Sequence, residues 1–505
     1  MSIREYIKQH ADLYNLVYKF LDGGDSFENI KVFLNSYHSF LNDTKLKSFL
    51  RLLKIIADAH NRNKLLLDKI KEILKFIQEN IQQKVSKIDL CDIFWGNKLI
   101  LLFLLDSKII TAEDIIDKFN SPYNFDYKCF FYPEIKNFVN SKDKIAIEQK
   151  LSELDSDTLN NFEKYRQIGE NHTHLSSLIR SDNVREFIIY INENEIDPSE
   201  FSIKPSIFES HLILRNHKSM TLIEYATFFG SLKIYQYLKA KKVTISPSLM
   251  IYAIHSRNYR LIHQIEEDIQ DHQEKEIYDK CLRESIECHH NEIADYFANK
   301  INEKITILLS FEFHNFYSIS DDEISNTKLE ELFYLACRYD YINLLQILFE
   351  MRIDFDVKKA IINSRESYNA MQFLLDHRVI GIKDFAYCNK VNHVRIPTFI
   401  ERIEQMSFEF CSNLRKVEIP TSVYIFEKRC FAACSLLNEI EIPSSVTSIG
   451  NSCFNGCSSL KKVEIPSSVK SIGSSCFEGC SSLKKIEIPS SIKSIESLVL
   501  LNVLL

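Results

Sequence analysis

The sequence predicts a multi-domain repeat protein: an all-α N-terminal region, then an α-helical solenoid, then a β-rich solenoid. Three observations carry this reading. Cysteine, phenylalanine and proline recur every 23 residues in the last quarter of the chain. Residues 170–380 repeat a looser pattern of paired helices. The first 165 residues place apolar side chains at three- and four-residue steps with charges between them, which is the spacing of amphipathic helices.

Composition sets the outer bounds. The chain has 505 residues, enough for several domains. Its 45% hydrophobic and 26% charged residues are those of a globular protein. Acids outnumber bases by 69 to 62, for a net charge of −7, which is no footprint for nucleic acid or an anionic membrane. Glycine occurs only 10 times, against an average usage of roughly 7%. Phosphate-cradling loops need glycine so that the backbone can approach the anion. Neither GxGxxG nor GxxxxGK followed by Ser or Thr occurs, so dinucleotide and P-loop chemistry are not expected.

The N-terminus, MSIREYIKQHADLYNLVYKF, carries charges throughout and does not read as a secretory signal. The longest apolar run, Leu99–Leu105, is far shorter than the roughly 20 residues of a membrane span. A soluble, cytoplasmic protein is expected, and its 13 cysteines are expected to be reduced.

Residues 1–165 are expected to form a helical N-terminal region. KLKSFLRLLKIIADAHNRNKLLLDKIKEILKFIQENIQQKV, from Lys45 to Val85, reads as core helix rather than a membrane-surface helix, because acids are interspersed among its lysines. In FNSPYNFDYKCFFYPEI, Pro122 and Pro133 interrupt the helical pattern, and the aromatic cluster is expected to plug a domain junction.

Residues 170–380 contain the helical repeats. The clearest unit, TLIEYATFFGSLKIYQYLKAKK, begins at Thr221 and places Ile223, Ala226, Gly230, Leu232, Ile234 and Leu238 in register. It resembles the ankyrin pattern TPLHxAxxxGxLxxVxxLL. Leu222 and Glu224 stand where that pattern has Pro and His, so a weakened turn and cap are expected. PSLMIYAIHSRNYRLIHQI and ELFYLACRYDYINLLQILF follow the same frame, with fainter copies around Ile293/Phe297 and Met371/Leu374. The 51-residue step from Phe297 to Leu348 is expected to hold one degenerate unit. The region is similar to an uncharacterised ankyrin-containing family of protist proteins that frequently carries a helical N-terminal region. That resemblance implies protein binding and no catalysis.

Residues 381–498 form the 23-residue array, with 499–505 as a cap or tail. Cys411, Cys434, Cys457 and Cys480 are in step with Phe408, Phe431, Phe454 and Phe477, and with Pro420, Pro443, Pro466 and Pro489. In LKKVEIP, Leu460, Val463 and Ile465 alternate with Lys462 and Glu464, the pattern of a short half-buried strand. Pro466 ends it, because it has no N–H for the ladder. One coil cannot bury its own apolar face, but stacked coils can. Strand spacing would bring equivalent side chains to about 4.8 Å. The inward columns are then Val417/Ile440/Val463/Ile486 and Ile419/Ile442/Ile465/Ile488, and the outward column is Glu418/Glu441/Glu464/Glu487. Lys416, Lys462 and Lys485 are placed to offset that carboxylate ladder, which is otherwise a face for basic partners.

This array resembles the leucine-rich repeats of the BspA-like surface antigen family, whose units read approximately LxxIxIPxxVxxIGxxAFxxCxxL. Cys453 and Cys476 replace the Ala often found there, and the terminal SLVLLNVLL is atypical. Members of that family are often described as cell-surface or adhesion proteins, so the resemblance implies cell-surface localisation as the alternative to the cytoplasm.

No HExxH, GxSxG or paired CxxC motif occurs. The spacing of Cys430/Cys434, Cys453/Cys457 and Cys476/Cys480 matches the array period and reads as buried thiol ladders rather than zinc sites. The densest donor cluster elsewhere is Cys281, Cys288, His289 and His290, with His172 and His174 upstream. Cys288, His289 and His290 are expected on a helix, where neighbours diverge, with the histidines exposed between repeats. No catalytic residue, cofactor-binding residue, cofactor or metal ligand is therefore expected. The expected function is a non-enzymatic protein–protein interaction scaffold using two solenoid surfaces, with a surface antigen or adhesin exported without a recognisable signal as the alternative. The candidate partner-binding surface comprises Lys416, Glu418, Glu439, Glu441, Lys462, Glu464, Lys485 and Glu487, together with the tips of the helical hairpins. Protein partners are expected, without nucleic acid or a membrane span.

Overall fold

The computed structural model describes residues 2–37, 43–59, 64–116, 125–269, 275–317, 319, 323–324, 327–365, 367–484 and 486–492. Pro122, Lys485 and the 499–505 tail lie outside them. Contacts divide the chain into two compact units, residues 9–320 and residues 1–8 with 321–505.

The first unit begins with the expected helices, among them Asp43–Ala59, Lys64–Phe76, Gln78–Lys84, Lys87–Phe94 and Lys98–Asp106. Lys64–Phe76 buries Leu66, Leu67, Ile70, Ile73 and Leu74 while its lysines stay at the surface, as its three- and four-residue apolar steps require. Lys98–Asp106 is apolar nearly all round and is buried accordingly. Asn97 caps it, accepting from the Ile100 amide at 3.0 Å and donating to Asp58 at 2.7 Å.

The aromatic segment is packed around cations from its own chain. The Lys98 ammonium is fully buried, donates to the carbonyls of Ile207 and Glu209 at 2.8 and 3.0 Å, and lies over the rings of Tyr127 and Phe130. Burial, then the charge of Arg215, pushes its pKa down to about 7. Arg215 lies over Tyr127 and donates to its hydroxyl at 2.8 Å. The cluster thus ties the N-terminal helices to the segment around Ile207–Arg215 that precedes the Thr221 repeat, within the first unit.

Helical hairpins follow: His174–Arg180 with Val184–Glu193, Leu222–Phe229 with Leu232–Ala240, Leu249–Ser256 with Tyr259–Asp268, and Lys275–Glu287 with Asn291–Ile301. Their apolar faces form one continuous core through Ile179, Phe187, Ala226, Leu238, Ala253, Ile265, Leu282 and Phe297. The weakened cap expected at Thr221 is corrected by the structure. Thr221 and Glu224 close a capping box, each side chain bonding the other's backbone amide, so Glu224 restores the N-terminal turn by a different route. Neighbouring hairpins are also stitched by polar side chains. Asp182 accepts from the amides of Lys233 and Ile234, and Asn258 donates to the Gly230 carbonyl. The helix Ile307–Glu312 lies within the long step from Phe297 to Leu348.

The second unit holds the hairpins Leu329–Arg338 with Ile342–Glu350 and Val357–Ser364 with Tyr368–Asp376, followed by the β-solenoid. Strands β1 (Ser202–Ile203) and β2 (Met220–Thr221) belong to the first unit. The solenoid strands are β3 (His393–Arg395), β4 (Arg402–Ile403), β5 (Lys416–Glu418), β6 (Ile425–Phe426), β7 (Glu439–Glu441), β8 (Ser448–Ile449), β9 (Lys462–Glu464) and β10 (Ser471–Ile472). All of their pairings are parallel. Val394 faces Val417, Ile440 faces Val463, and Phe426 faces Ile449. Each register step equals the sequence period, so every column of side chains repeats along the stack.

Inside, Phe408, Phe431, Phe454 and Phe477 form a ladder of near-parallel rings with centroids 5.3 to 5.5 Å apart. The thiols of Cys411, Cys434, Cys457 and Cys480 donate to the carbonyls of Phe385, Phe408, Phe431 and Phe454. Cys430 and Cys453 place their sulfurs 3.3 Å apart. All 13 cysteines are free and buried, and burial pushes Cys411 and Cys480 up to about 12. The inward columns hold at Val417, Ile440, Val463, Ile442 and Ile465, while Ile419, Ile486 and Ile488 are half-buried. Ile419 is half-buried where it lines a groove of about 370 Å³ with Arg395, Ile396, Pro397 and Pro420.

Candidate interaction surface

The outward side of β3, β5, β7 and β9 carries two charged columns. Parallel pairing at the 23-residue period aligns His393 with Lys416, and Glu439 with Lys462. In the second column Arg395 aligns with Glu418, and Glu441 with Glu464 and then Glu487. Lys416, Glu439, Glu441, Lys462, Glu464 and Glu487 are exposed and Glu418 is half-buried. The structure therefore brings these sequence-selected residues onto one face.

Carboxylate repulsion along the second column is offset within β5 and β9. Lys416 reaches Glu418 at 3.1 Å and Lys462 reaches Glu464 at 2.5 Å. His393 adds a second contact to Glu418 at 3.2 Å. The hydrogen bond from Lys416, reinforced by His393, holds the Glu418 carboxyl below its ordinary range. Glu439 and Glu441 share a strand without a lysine of its own, and Glu439 aligns with Lys462 of β9.

A second feature of the array carries no sequence motif. Tyr387 and Phe410, one period apart, are 57% and 43% exposed and stack with centroids 5.2 Å apart and planes 17° from parallel. Both have left-handed backbone, with φ of 65° and 60°. The same position in later coils is Ala433, Gly456 and Gly479, also left-handed. The conformation is imposed by the coil: the amides of Phe410, Ala433 and Gly456 turn along the stack to bond Ala432, Asn455 and Glu478 carbonyls. Glycine adopts it freely, whereas a bulky side chain costs about 1–2 kcal/mol. Glycine at positions 456 and 479 was the available signal, since it marks a backbone that Tyr387 and Phe410 occupy against their preference.

The histidine cluster differs from its expected arrangement. The helix Lys275–Glu287 ends before Cys288, and His289 takes a left-handed turn, with φ of 54°. His289 and His290 are buried rather than exposed. His289 Nδ1 lies 3.0 Å from the Tyr14 hydroxyl, and His290 Nδ1 lies 2.9 Å from the Ile254 carbonyl. The physical reason is the turn, which splays the three side chains into separate neighbours. His172 is half-buried against Ser206, and His174 is exposed.

The parallel 23-residue coils, the phenylalanine ladder and the cysteine step together define the repeat type. Residues 378–503 match the BspA type leucine rich repeat region in six copies. The BspA-type repeats point to a protein-interaction or adhesin-type role. Two solved leucine-rich repeat structures are similar to part of the chain. The T. pallidum leucine rich repeat protein TpLRR is 34% identical over 21% of this chain and 50% of its own, with a TM-score of 0.21. A leucine-rich repeat protein from Bacteroides ovatus is 32% identical over 24% of this chain and 35% of its own, also with a TM-score of 0.21. The chain spans half or less of the length of each. No curated protein matches it. Among the described residues, no helix is long and apolar enough to cross a membrane.

Proposed function

We propose that this chain is a non-enzymatic scaffold that binds protein partners through its BspA-type array, with the ankyrin-like helical hairpins as a second binding surface. The observation that carries the reading is the exposed Tyr387–Phe410 stack, held in left-handed backbone. Strained residues concentrate where function retains them, and exposed aromatic side chains dominate the energetics of protein interfaces. The charged columns of the same array, Lys416/Glu439/Lys462 and Glu418/Glu441/Glu464/Glu487, supply orientation and on-rate rather than bulk affinity. Lys485 continues the first column by sequence period alone.

The test is site-specific photo-crosslinking in native cells from a probe at position 412, beside the stack. A discrete crosslinked partner that disappears in the Tyr387→Gly/Phe410→Gly double variant supports the reading, and unchanged crosslinks in that variant overturn the assignment of the stack. The BspA-type match favours one second reading, an adhesin. Protease digestion of tagged protein in intact cells supports it, and digestion only after permeabilisation supports a cytoplasmic scaffold.

A further inference from the structure

Within the first unit, two adjacent hairpins bring together three donor side chains that no sequence motif joins. Cys288 directly follows the helix Lys275–Glu287, and its amide still bonds the carbonyl of Glu284 four residues back at 2.8 Å, the separation that puts two side chains on one side of a helical turn. His255 comes from the last turn of the helix Leu249–Ser256 in the preceding hairpin. The Cys288 sulfur lies 3.4 and 3.7 Å from His255 Nδ1 and Nε2, and 3.8 Å from Glu284 Oε1. His255 Nε2 lies 2.8 Å from the same carboxylate oxygen. Among the described residues, this is the one group of three His, Cys, Asp or Glu donors within 4.8 Å of one another.

The geometry does not assemble a nucleophile. The sulfur reaches both ring nitrogens, at 3.4 and 3.7 Å, so its contact is shared between two positions instead of directed at one general base. Burial, then the charges of Glu284 and Glu287, pushes the Cys288 thiol well up, which disfavours a free thiolate. What the cluster offers is a set of donors around a place for positive charge.

We propose that His255, Glu284 and Cys288 bind a divalent cation of the zinc class. Zn–S of about 2.3 Å and Zn–N or Zn–O of about 2.0–2.1 Å require donor–donor edges of roughly 3.3–3.6 Å in a tetrahedron. The observed Nε2–Sγ, Oε1–Sγ and Nε2–Oε1 edges of 3.7, 3.8 and 2.8 Å bracket that range. The short edge is a hydrogen bond, which opens when its proton moves to His255 Nδ1 and a cation takes its place on Nε2, leaving the imidazole neutral. One thiolate, one carboxylate and a neutral imidazole balance a divalent charge, so the loaded cluster is neutral and tolerates burial. Binding releases the Cys288 proton to solvent, and water takes the fourth position. Glu284 is 21% exposed and provides the way in. The site departs from the expectation of no metal ligand because Cys288 meets a histidine 33 residues away instead of its sequence neighbours.

The test uses the full-length protein, stripped with chelator and titrated with Co(II). The expected result is thiolate-to-cobalt charge transfer in the near ultraviolet with intense tetrahedral visible bands, saturating at one equivalent and displaced by Zn(II). Cys288→Ala and His255→Gln abolish these bands, whereas Cys281→Ala and Cys453→Ala retain them. Absence of bands in the unsubstituted chain, or their persistence in Cys288→Ala, overturns the site. Should Cys288→Ala fail to fold, Glu284→Gln keeps the side-chain shape and is expected to weaken Co(II) about tenfold or more. Unchanged affinity in that variant also overturns the proposal.

Discussion

The phenolic oxygen of Tyr14 lies 3.0 Å from Nδ1 of His289, across 275 residues of sequence. The two rings stack with centroids 5.5 Å apart, and Tyr18 donates to the His289 carbonyl at 2.9 Å. Arg257 in turn donates to the Tyr18 hydroxyl at 3.1 Å. The N-terminal helix therefore grips a turn between two helices of the repeat region, and the left-handed backbone at His289 is what presents both its ring and its carbonyl.

That contact makes the first unit acid-sensitive. Burial holds His289 down to about 3, and burial with nearby cations does the same for His314. The unfolded chain binds these protons near pH 6.5. Between those values it holds more protons than the fold, so the stabilisation is complete above pH 6.5 and is lost as pH falls toward 3. The His289 share is on the order of a few kcal/mol. Urea unfolding of His289→Gln between pH 7 and 4.5 should show a shallower loss of stability than the unsubstituted protein. An equal slope would show that His289 does not carry the effect.

Phe431 is buried between Phe408 and Phe454 in the ring ladder. Phe431→Ala leaves a cavity inside a stack whose coils cannot collapse independently, and should destabilise the β-solenoid by about 3–5 kcal/mol. Denaturant unfolding followed by a probe in residues 381–492 reads the change.

All eight cysteines beyond residue 380 are buried thiols. Alkylation of native protein should be slow at these positions and fast in denaturant, as read by mass spectrometry of the peptides. Rapid native labelling of Cys411, Cys434, Cys457 and Cys480 would contradict their hydrogen-bonded ladder.

Phe410→Gly should separate stability from binding. Relief of left-handed strain, about 1–2 kcal/mol, offsets the lost ring stack and the roughly 0.5–1 kcal/mol entropy of an added glycine. Array stability should stay within about 1 kcal/mol, while partner capture falls sharply. Chemical denaturation and quantitative crosslinking measure the two sides.

Glu224→Ala removes one half of the capping box at Thr221. It should cost about 0.5–2 kcal/mol in the first unit, measurable by urea unfolding. No change would mean that the Thr221 hydroxyl alone caps the helix.

The 23-residue coil was fully legible in the sequence by itself. In a parallel stack the register step equals the sequence period, so Phe408, Phe431, Phe454 and Phe477 must share a column wherever the rest of the chain lies. The outward Lys and Glu columns follow from the same arithmetic, as does the alternation of buried Val463 with exposed Lys462 and Glu464. The helical hairpins were legible as elements, because three- and four-residue apolar steps report a local periodicity. Only the tertiary structure decided which side chains meet between hairpins. His255 reaches Cys288 and Tyr14 reaches His289 through the packing of separate helices, whose rotations are set by core contacts that no local pattern records. The exposure of Tyr387 and Phe410 was likewise decided in space, since a left-handed turn dictated by bonds to the next coil sends side chains outward where the one-dimensional pattern shows only two more aromatic residues.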